Sequence, residues 1–359
     1  MNVLTRKERT YTFLINYLGG VLTLEQSIKV TGKELFTFVC TCLGVVEYWY
    51  FGLQYETSKK RSMWVRPNTK IYSLVRKSGT PLFFLVKYFP EEIGRVNEEI
   101  TLSLIYKQSK GSIVSGAIFC TPETSILLGS YTLQAEYGDW PCVDYKNLNL
   151  SSILPAAVLE QYTMTHKNWS ESLRAWHKDH QGLTKKEAQL EYMRVAQYLG
   201  MYGVNYFPTK WQGNSAWLGI HPKGINIYMD NMLVPKTCLK WIFIRMVHYS
   251  CHKFIIKTVL THTPEFVFSM KTLRMTRQVF EFSVGYHHLY LRTRSLTSIE
   301  VHKVPEDDVL DTEKFKEVSE EICQNETASA PNSMFRRFSQ RFQKKTELPV
   351  LNEEEEHLI

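Results

Sequence analysis

Apolar residues recur along this 359-residue chain with three successive periods, and each stretch predicts a different kind of structure. Near the start, two apolar-rich runs meet at Gly19-Gly20. A Gly-Gly turn supplies the positive φ that a tight hairpin needs, so two paired strands are expected. Thr31-Gly32-Lys33-Glu34 reads as a capping box, with the Thr31 hydroxyl accepting from the backbone three residues on and Glu34 reaching back. Leu35, Phe36, Val39, Cys40 and Leu43 continue it as a helical stripe. Short strands are expected after that, with turns at Pro67-Asn68 and Ser78-Gly79.

From about residue 97 the period is helical. Thr121 caps a helix with Pro122 at its first position, where a missing N–H costs nothing. Leu127, Leu128, Tyr131 and Ala135 form its stripe, and Gly138 ends it. Trp169, Leu173, Trp176 and His180 mark a further helix, and tryptophans at that spacing predict a packed bundle rather than a ligand box. In the block Glu187–Tyr206, Ala188, Tyr192, Val195, Ala196 and Leu199 form one buried stripe. Gly200 and Gly203 are expected to end that helix.

From about residue 204 the period falls to two. Ile225, Ile227 and Met229 alternate, as do Leu239, Trp241 and Phe243, then Phe266, Phe268 and Met270. One long helix follows, with Leu273, Phe280, Val284, His287 and Leu291 on one side. Residues 295–359 keep no such period and run acidic, then small and polar, then basic and aromatic, then acidic again. Most of that tail is expected to be disordered.

Composition narrows the class. A chain of this length with 44% hydrophobic residues has enough apolar side chain for two or three globular domains. Its seven cysteines show no framework spacing and no C-x-x-C pair, which points to a reducing compartment and away from zinc. No run approaches the ~20 apolar residues needed to span a bilayer. Arg6, Lys7 and Arg9 before an apolar stretch raise a signal peptide as a rival reading. Asn16 and Gly19-Gly20 interrupt that stretch and no small-x-small cleavage site follows, which favours the hairpin.

Charge is uneven. Residues 301–359 hold 8 Lys+Arg against 14 Asp+Glu, whereas residues 1–300 hold 35 against 22. A basic body attracts anionic surfaces, though ordinary solvated surface has the same composition. No nucleotide-binding, zinc-protease or serine-hydrolase motif occurs. His177 and His180 lack a supporting ligand constellation, and His287-His288 reads as packing plus exposure. A non-enzymatic chain with no cofactor and no metal is therefore expected.

Several stretches carry a resemblance. They are Trp49–Tyr55 (WYFGLQY), Lys87–Glu92 (KYFPEE), Cys120–Asp139, Glu187–Tyr206, Leu218–Tyr228 and His287–Tyr290. Co-linear over roughly residues 10 to 295, they resemble the FERM domain of the ezrin/radixin/moesin/merlin type, within the band 4.1 superfamily. The resemblance implies an α+β, three-lobed module. Its lobes would be a ubiquitin-like one at 10–89, an acyl-CoA-binding-protein-like helical bundle at 97–203 and a PH/PTB-like one at 204–294, before the tail at 295–359. The family's long helical region and actin-binding C-terminus have no counterpart here, so direct actin binding is not expected.

The resemblance also implies sites. A lipid cleft between the first and third lobes would use Arg66, Lys70 and Arg277, with Lys253 on the third lobe. The family's lysine pairs nearby are His252-Lys253 and Thr261-His262 here, so the patch is thinner, and lipid binding and a solvated face both remain open. A peptide groove would lie between the strand Lys236–Ile244 and the closing helix, using Leu239, Trp241, Phe280, Val284 and His287. In the tail, Phe335, Phe338 and Phe342 alternate with arginines around Ser339, a candidate phosphosite. That stretch reads as a basic amphipathic helix or as a linker.

The implied function is a non-enzymatic membrane–cytoskeleton adaptor in the cytoplasm, peripheral at the inner face of the plasma membrane. Its expected partners are cytoplasmic tails of membrane proteins, anionic phospholipids of the inner leaflet and cortical cytoskeletal proteins, with no nucleic acid. Two alternatives stand beside it: a signalling or polarity scaffold of merlin or band 4.1 type, and an adaptor working mainly through phosphoinositides.

Overall fold

Strands β1 (Thr10–Tyr17) and β2 (Gly20–Ser27) pair antiparallel along their whole length, with Tyr17 facing Gly20. The turn is therefore Leu18-Gly19, one residue earlier than the glycine pair suggests. The structure, a computed structural model, describes residues 9–78, 81–161, 164–229, 231–259 and 265–295. Gly79, Thr261, His262 and the whole tail, with Phe335, Phe338, Ser339 and Phe342, lie outside them.

The capping box at Thr31 forms as expected and starts α1 (Gly32–Leu43). Thr31 N donates to Glu34 Oε2 at 2.9 Å and Glu34 N to Thr31 Oγ1 at 3.4 Å. Then come β3 (Phe51–Glu56), β4 (Ser62–Trp64), α2 (Ile71–Ser78) and β5 (Leu82–Val86). The sheet order is β2-β1-β5-β3-β4, with β1 and β5 parallel. Phe13, Ile15, Leu53, Leu82 and Phe84 of the sheet are buried, as are Leu35 and Val39 of α1. Two carboxylates tie this lobe to α3 (Glu99–Val114) reciprocally. Glu98 accepts from the N–H groups of Val46 and Glu47, while Glu47 accepts from those of Asn97 and Glu98.

The helical lobe continues with α4 (Pro122–Tyr137), α5 (Ala156–Gln161), α6 (His166–His177) and α7 (Lys185–Ala196). Thr121 caps α4 as expected. The single stripe expected on α4 is too narrow, because α4 packs against both α6 and α7. Ile126, Leu133 and the polar Ser130, Thr132 and Gln134 are buried as well. Their polar groups are satisfied, Ser130 and Thr132 through backbone carbonyls one turn back and Gln134 through Asp139 and the Leu183 carbonyl. Trp169, Leu173 and Trp176 belong to this core.

Helix α7 opens on a second capping box, Thr184 with Glu187. It ends at Ala196, short of Gly200, because the Tyr198 and Leu199 N–H groups bond to the Val195 and Ala196 carbonyls, three residues back, and tighten the last turn. Of the two glycines expected to stop it, Gly203 takes the left-handed conformation, with φ +63°.

The third lobe contains β6 (Asn205–Trp211), β7 (Asn214–His221), β8 (Gly224–Tyr228) and β9 (Thr237–Lys240). It continues with β10 (Ile244–Ser250), β11 (Lys253–Thr258), β12 (Phe266–Ser269) and the closing α8 (Leu273–Ser295). The strands form one antiparallel sheet in the order β10-β11-β12-β6-β7-β8-β9. The single strand expected over Lys236–Ile244 forms only over Thr237–Lys240. Trp241–Phe243 make a 3₁₀ turn, which buries the Trp241 indole and lets its Nε1–H donate to the carbonyls of His221 and Pro222, at 3.2 and 2.8 Å. Backbone that turns to insert that ring cannot continue the ladder, so the chain restarts as β10.

By packing, residues 9–111 and 201–295 form one compact unit and residues 112–200 a second. The first and third lobes thus share a unit. No described helix is long and apolar enough to cross a membrane.

Candidate functional site

Helix α8 presents two working faces within the first unit. One lies along β10. That strand ends the sheet, so among the described residues its ladder groups on the side away from β11 pair with no other strand. Phe280, Val284 and His287 follow at i, i+4 and i+7, all half-buried. Tyr249 of β10 meets Phe280 with ring centroids 5.1 Å apart, and Trp241 meets His287 at 5.9 Å. Ile242 and Met246 are exposed nearby in sequence. Burial, followed by the neighbouring His288, pushes the His287 imidazole below its usual range, so it stays neutral at physiological pH. An open strand edge beside a half-apolar helix face is what an added extended peptide requires.

Of the five residues proposed for that groove, three stand on its helical wall and two do not. Leu239 and Trp241 are core, 1% and 2% exposed. Trp241 supports His287 by ring contact, while β10 supplies the edge in place of Lys236–Ile244. Sequence reasoning missed Tyr249, which was legible only as part of the alternation in Ile244–Ser250.

The opposite face of α8 packs on the first lobe. Gln278 Nε2 lies 3.5 Å from Met63 Sδ, and Arg66 Nη2 lies 3.0 Å from Glu281 Oε1. Phe282 meets Trp64 and Tyr88 edge-on, at 6.4 and 5.9 Å. The Lys87 ammonium sits among these three rings, 5.0 Å from the Tyr88 centroid and 5.6 Å from those of Trp64 and Phe282. Burial lowers its pKa and Glu281 partly opposes that shift.

Arg66, Lys70, Lys253 and Arg277 are all exposed. Arg277 stands one helical turn before Glu281, so the ion pair brings Arg66 to the same stretch of α8. Lys253 opens β11, opposite Ser269 on β12. Lys257 is engaged by Glu265.

In the second unit, His177 and His180 have other work. His177 Nδ1 accepts from the Tyr145 hydroxyl at 2.6 Å, while Nε2 faces Gln134 Oε1 and the Gly138 carbonyl, each at 2.9 Å. His180 Nε2 bonds Ser130 Oγ at 2.8 Å and its ring stacks on Tyr131.

The sequence matches three protein-family models: the FERM N-terminal domain over residues 19–77, the FERM central domain over 91–207 and the FERM C-terminal PH-like domain over 210–298. The structure is similar to a crystal structure of the FERM and C-terminal domain complex of Drosophila Merlin, with a TM-score of 0.73. Identity is 33%, and the match covers 81% of this chain and 99% of that one. The chain belongs to the FERM family.

As a FERM protein of merlin-like type, it has the expected α+β architecture in three lobes. More distant likenesses carry the fold alone. The Dictyostelium Myosin VII MyTH4-FERM MF2 domain is 16% identical with a TM-score of 0.64, covering 78% of this chain and 59% of that one. The human Myosin 7b C-terminal MyTH4-FERM domain, solved in complex with a harmonin-a PDZ3 domain, is 14% identical with a TM-score of 0.56. That match covers 80% of this chain and 61% of the other. Family membership makes the chain a module of the membrane–cytoskeleton adaptor kind.

Proposed function

We propose that this FERM module is a non-enzymatic adaptor that takes cytoplasmic tails of membrane proteins as an added strand between β10 and α8. The observation that carries this reading is the open edge of β10 beside Phe280, Val284 and His287. Main-chain hydrogen bonds to the edge would supply affinity, and the half-buried Tyr249, Phe280 and Val284 would select the peptide's side chains. The module would work in the cytoplasm at the inner face of the plasma membrane, linking tails to cortical cytoskeletal proteins. A scaffold of merlin or band 4.1 type would use the same groove with different partners. Capture of synthetic juxtamembrane tail peptides tests the reading. Val284→Glu places a charge on a half-buried groove position, where the fold should survive and capture should be lost. Equal capture by a folded variant would remove the groove.

A second reading is favoured by the cations at the other face. Arg66, Lys70 and Arg277 would hold an anionic headgroup in the cleft between the first lobe and α8, with Lys253 adding attraction from the third lobe. Each cation near an anionic leaflet gains about 1 kcal/mol. Sedimentation with phosphatidylserine and phosphoinositide vesicles should show binding that weakens as salt rises. Neutralising all four cations should abolish it, and unchanged binding would count against the lipid site.

A further inference from the structure

We infer that Glu281 sets the anion affinity of the cleft between β4 and α8, by occupying Arg66 in place of an external phosphate group. This rests on the reading that the cleft takes an anionic headgroup. Glu281 is the sole carboxylate of α8, whose other charged residues are Arg274, Arg277, Arg292 and Arg294. It stands well inside the helix, where no terminal N–H group or helix dipole would favour an acid. Its partner is instead in another lobe: Glu281 Oε1 accepts from Arg66 Nη2 at 3.0 Å.

Three features make this pair a competitor rather than a structural clamp. Its side chains are 49% and 43% exposed, so water and ions reach both, and exposed pairs of this kind add little to a fold's stability. The packing between the lobes is carried next door, by Phe282 against Trp64 and Tyr88. The nearby Lys87 ammonium is committed to the same aromatic wall, whereas Arg66, Lys70 and Arg277 are exposed. A phosphate with two charges entering there must displace the carboxylate from Arg66 and then lie beside it. Glu281 therefore both competes for the guanidinium and repels the ligand.

Glu281→Gln keeps the side chain's size and removes its charge, with Glu281→Ala as a second variant. Circular dichroism establishes that each is folded. Probes are phosphatidylcholine vesicles carrying phosphatidylinositol bisphosphate, the same vesicles carrying phosphatidylserine, and soluble inositol trisphosphate. Glu281→Gln should bind the bisphosphate vesicles roughly fivefold more tightly than the native chain, as loss of a ~1 kcal/mol competitor predicts. An equal gain for soluble inositol trisphosphate assigns the effect to the headgroup itself, and a gain confined to vesicles assigns it to the lipid surface. Both support the inference if Arg66→Ala erases the gain. Equal binding by native and Glu281→Gln proteins, with loss on removing Arg66, Lys70 and Arg277 together, overturns it while leaving the lipid reading in place. No binding by any variant overturns both.

Discussion

A β-carbon on Gly285 would lie 2.1 Å from the Tyr88 hydroxyl oxygen, 2.2 Å from its Cζ and 2.5 Å from its Cε1. The glycine is a gap in α8 that admits the tyrosine ring, and the ring is how the chain leaving the first lobe packs on the third. The next residue completes the joint. The Tyr286 hydroxyl donates to the Gly203 carbonyl at 2.8 Å and accepts from the Phe89 N–H at 3.4 Å. Further along, the Arg292 guanidinium covers Trp49 at 3.6 Å, and Arg95 donates to the Thr293 carbonyl at 2.9 Å. This joint fixes α8 from one side while the other side lines the β10 groove.

Gly285→Ala should therefore destabilise the protein, although alanine is the better helix former. Propensity gains about 1 kcal/mol, whereas forcing a methyl into packed space typically costs about 1–3 kcal/mol. The positions of Cζ and Cε1 mean that Tyr88→Phe cannot relieve the clash. Tyr88→Leu can, so the double variant should lose less stability than the two single losses added together. Thermal denaturation of the four proteins checks this, and strict additivity would show that the two residues do not press on one another.

Thr184→Ala should cost about 1 kcal/mol, because it removes the cap of α7. Thr184 N donates to Glu187 Oε2 at 2.9 Å and Glu187 N to Thr184 Oγ1 at 3.3 Å. Thr184→Ser keeps the hydroxyl and should retain most of the stability. Urea denaturation distinguishes the two substitutions.

Acid should weaken the helical unit through His177. Burial pushes its imidazole below the ordinary value of 6.5, against smaller opposing effects from the Gly138 carbonyl and Asp139. Nε2 faces the Gln134 and Gly138 oxygens, so the ring that burial keeps neutral carries its one proton there and Nδ1 accepts from Tyr145. The unfolded chain then binds the extra proton first as pH falls through 6.5, and stability drops across that window. Melting temperatures at pH 7.5 and 5.5 should differ more for the native chain than for His177→Gln. An equal difference would mean that other groups carry the acid sensitivity.

Much of the fold was legible because it rests on local chemistry. The Thr31 and Thr121 caps, the opening hairpin and the buried tryptophans of α6 follow from neighbouring residues alone. Period was less informative where an element has neighbours on several sides. On α4 it marked one stripe of a helix buried almost all round. On α8 it picked Leu273 and Leu291, which are 38% and 49% exposed, and missed the buried Val279, Phe282 and Tyr286. Alternation at Leu239, Trp241 and Phe243 read as a strand, but the partners of the Trp241 indole are carbonyls some twenty residues earlier. Glu281 gave no signal, since an acid between two phenylalanines reads as a solvated position until its partner in another lobe is seen.

The groove is tested most directly by amide hydrogen exchange along β10, with and without a saturating juxtamembrane tail peptide. Strand addition requires that β10 amides not bonded to β11 become protected, while amides within β9, at the far edge of the sheet, keep their rates. Val284→Glu should erase the protection. A peptide that binds tightly yet leaves every β10 amide unchanged would contradict the assignment of the β10–α8 groove.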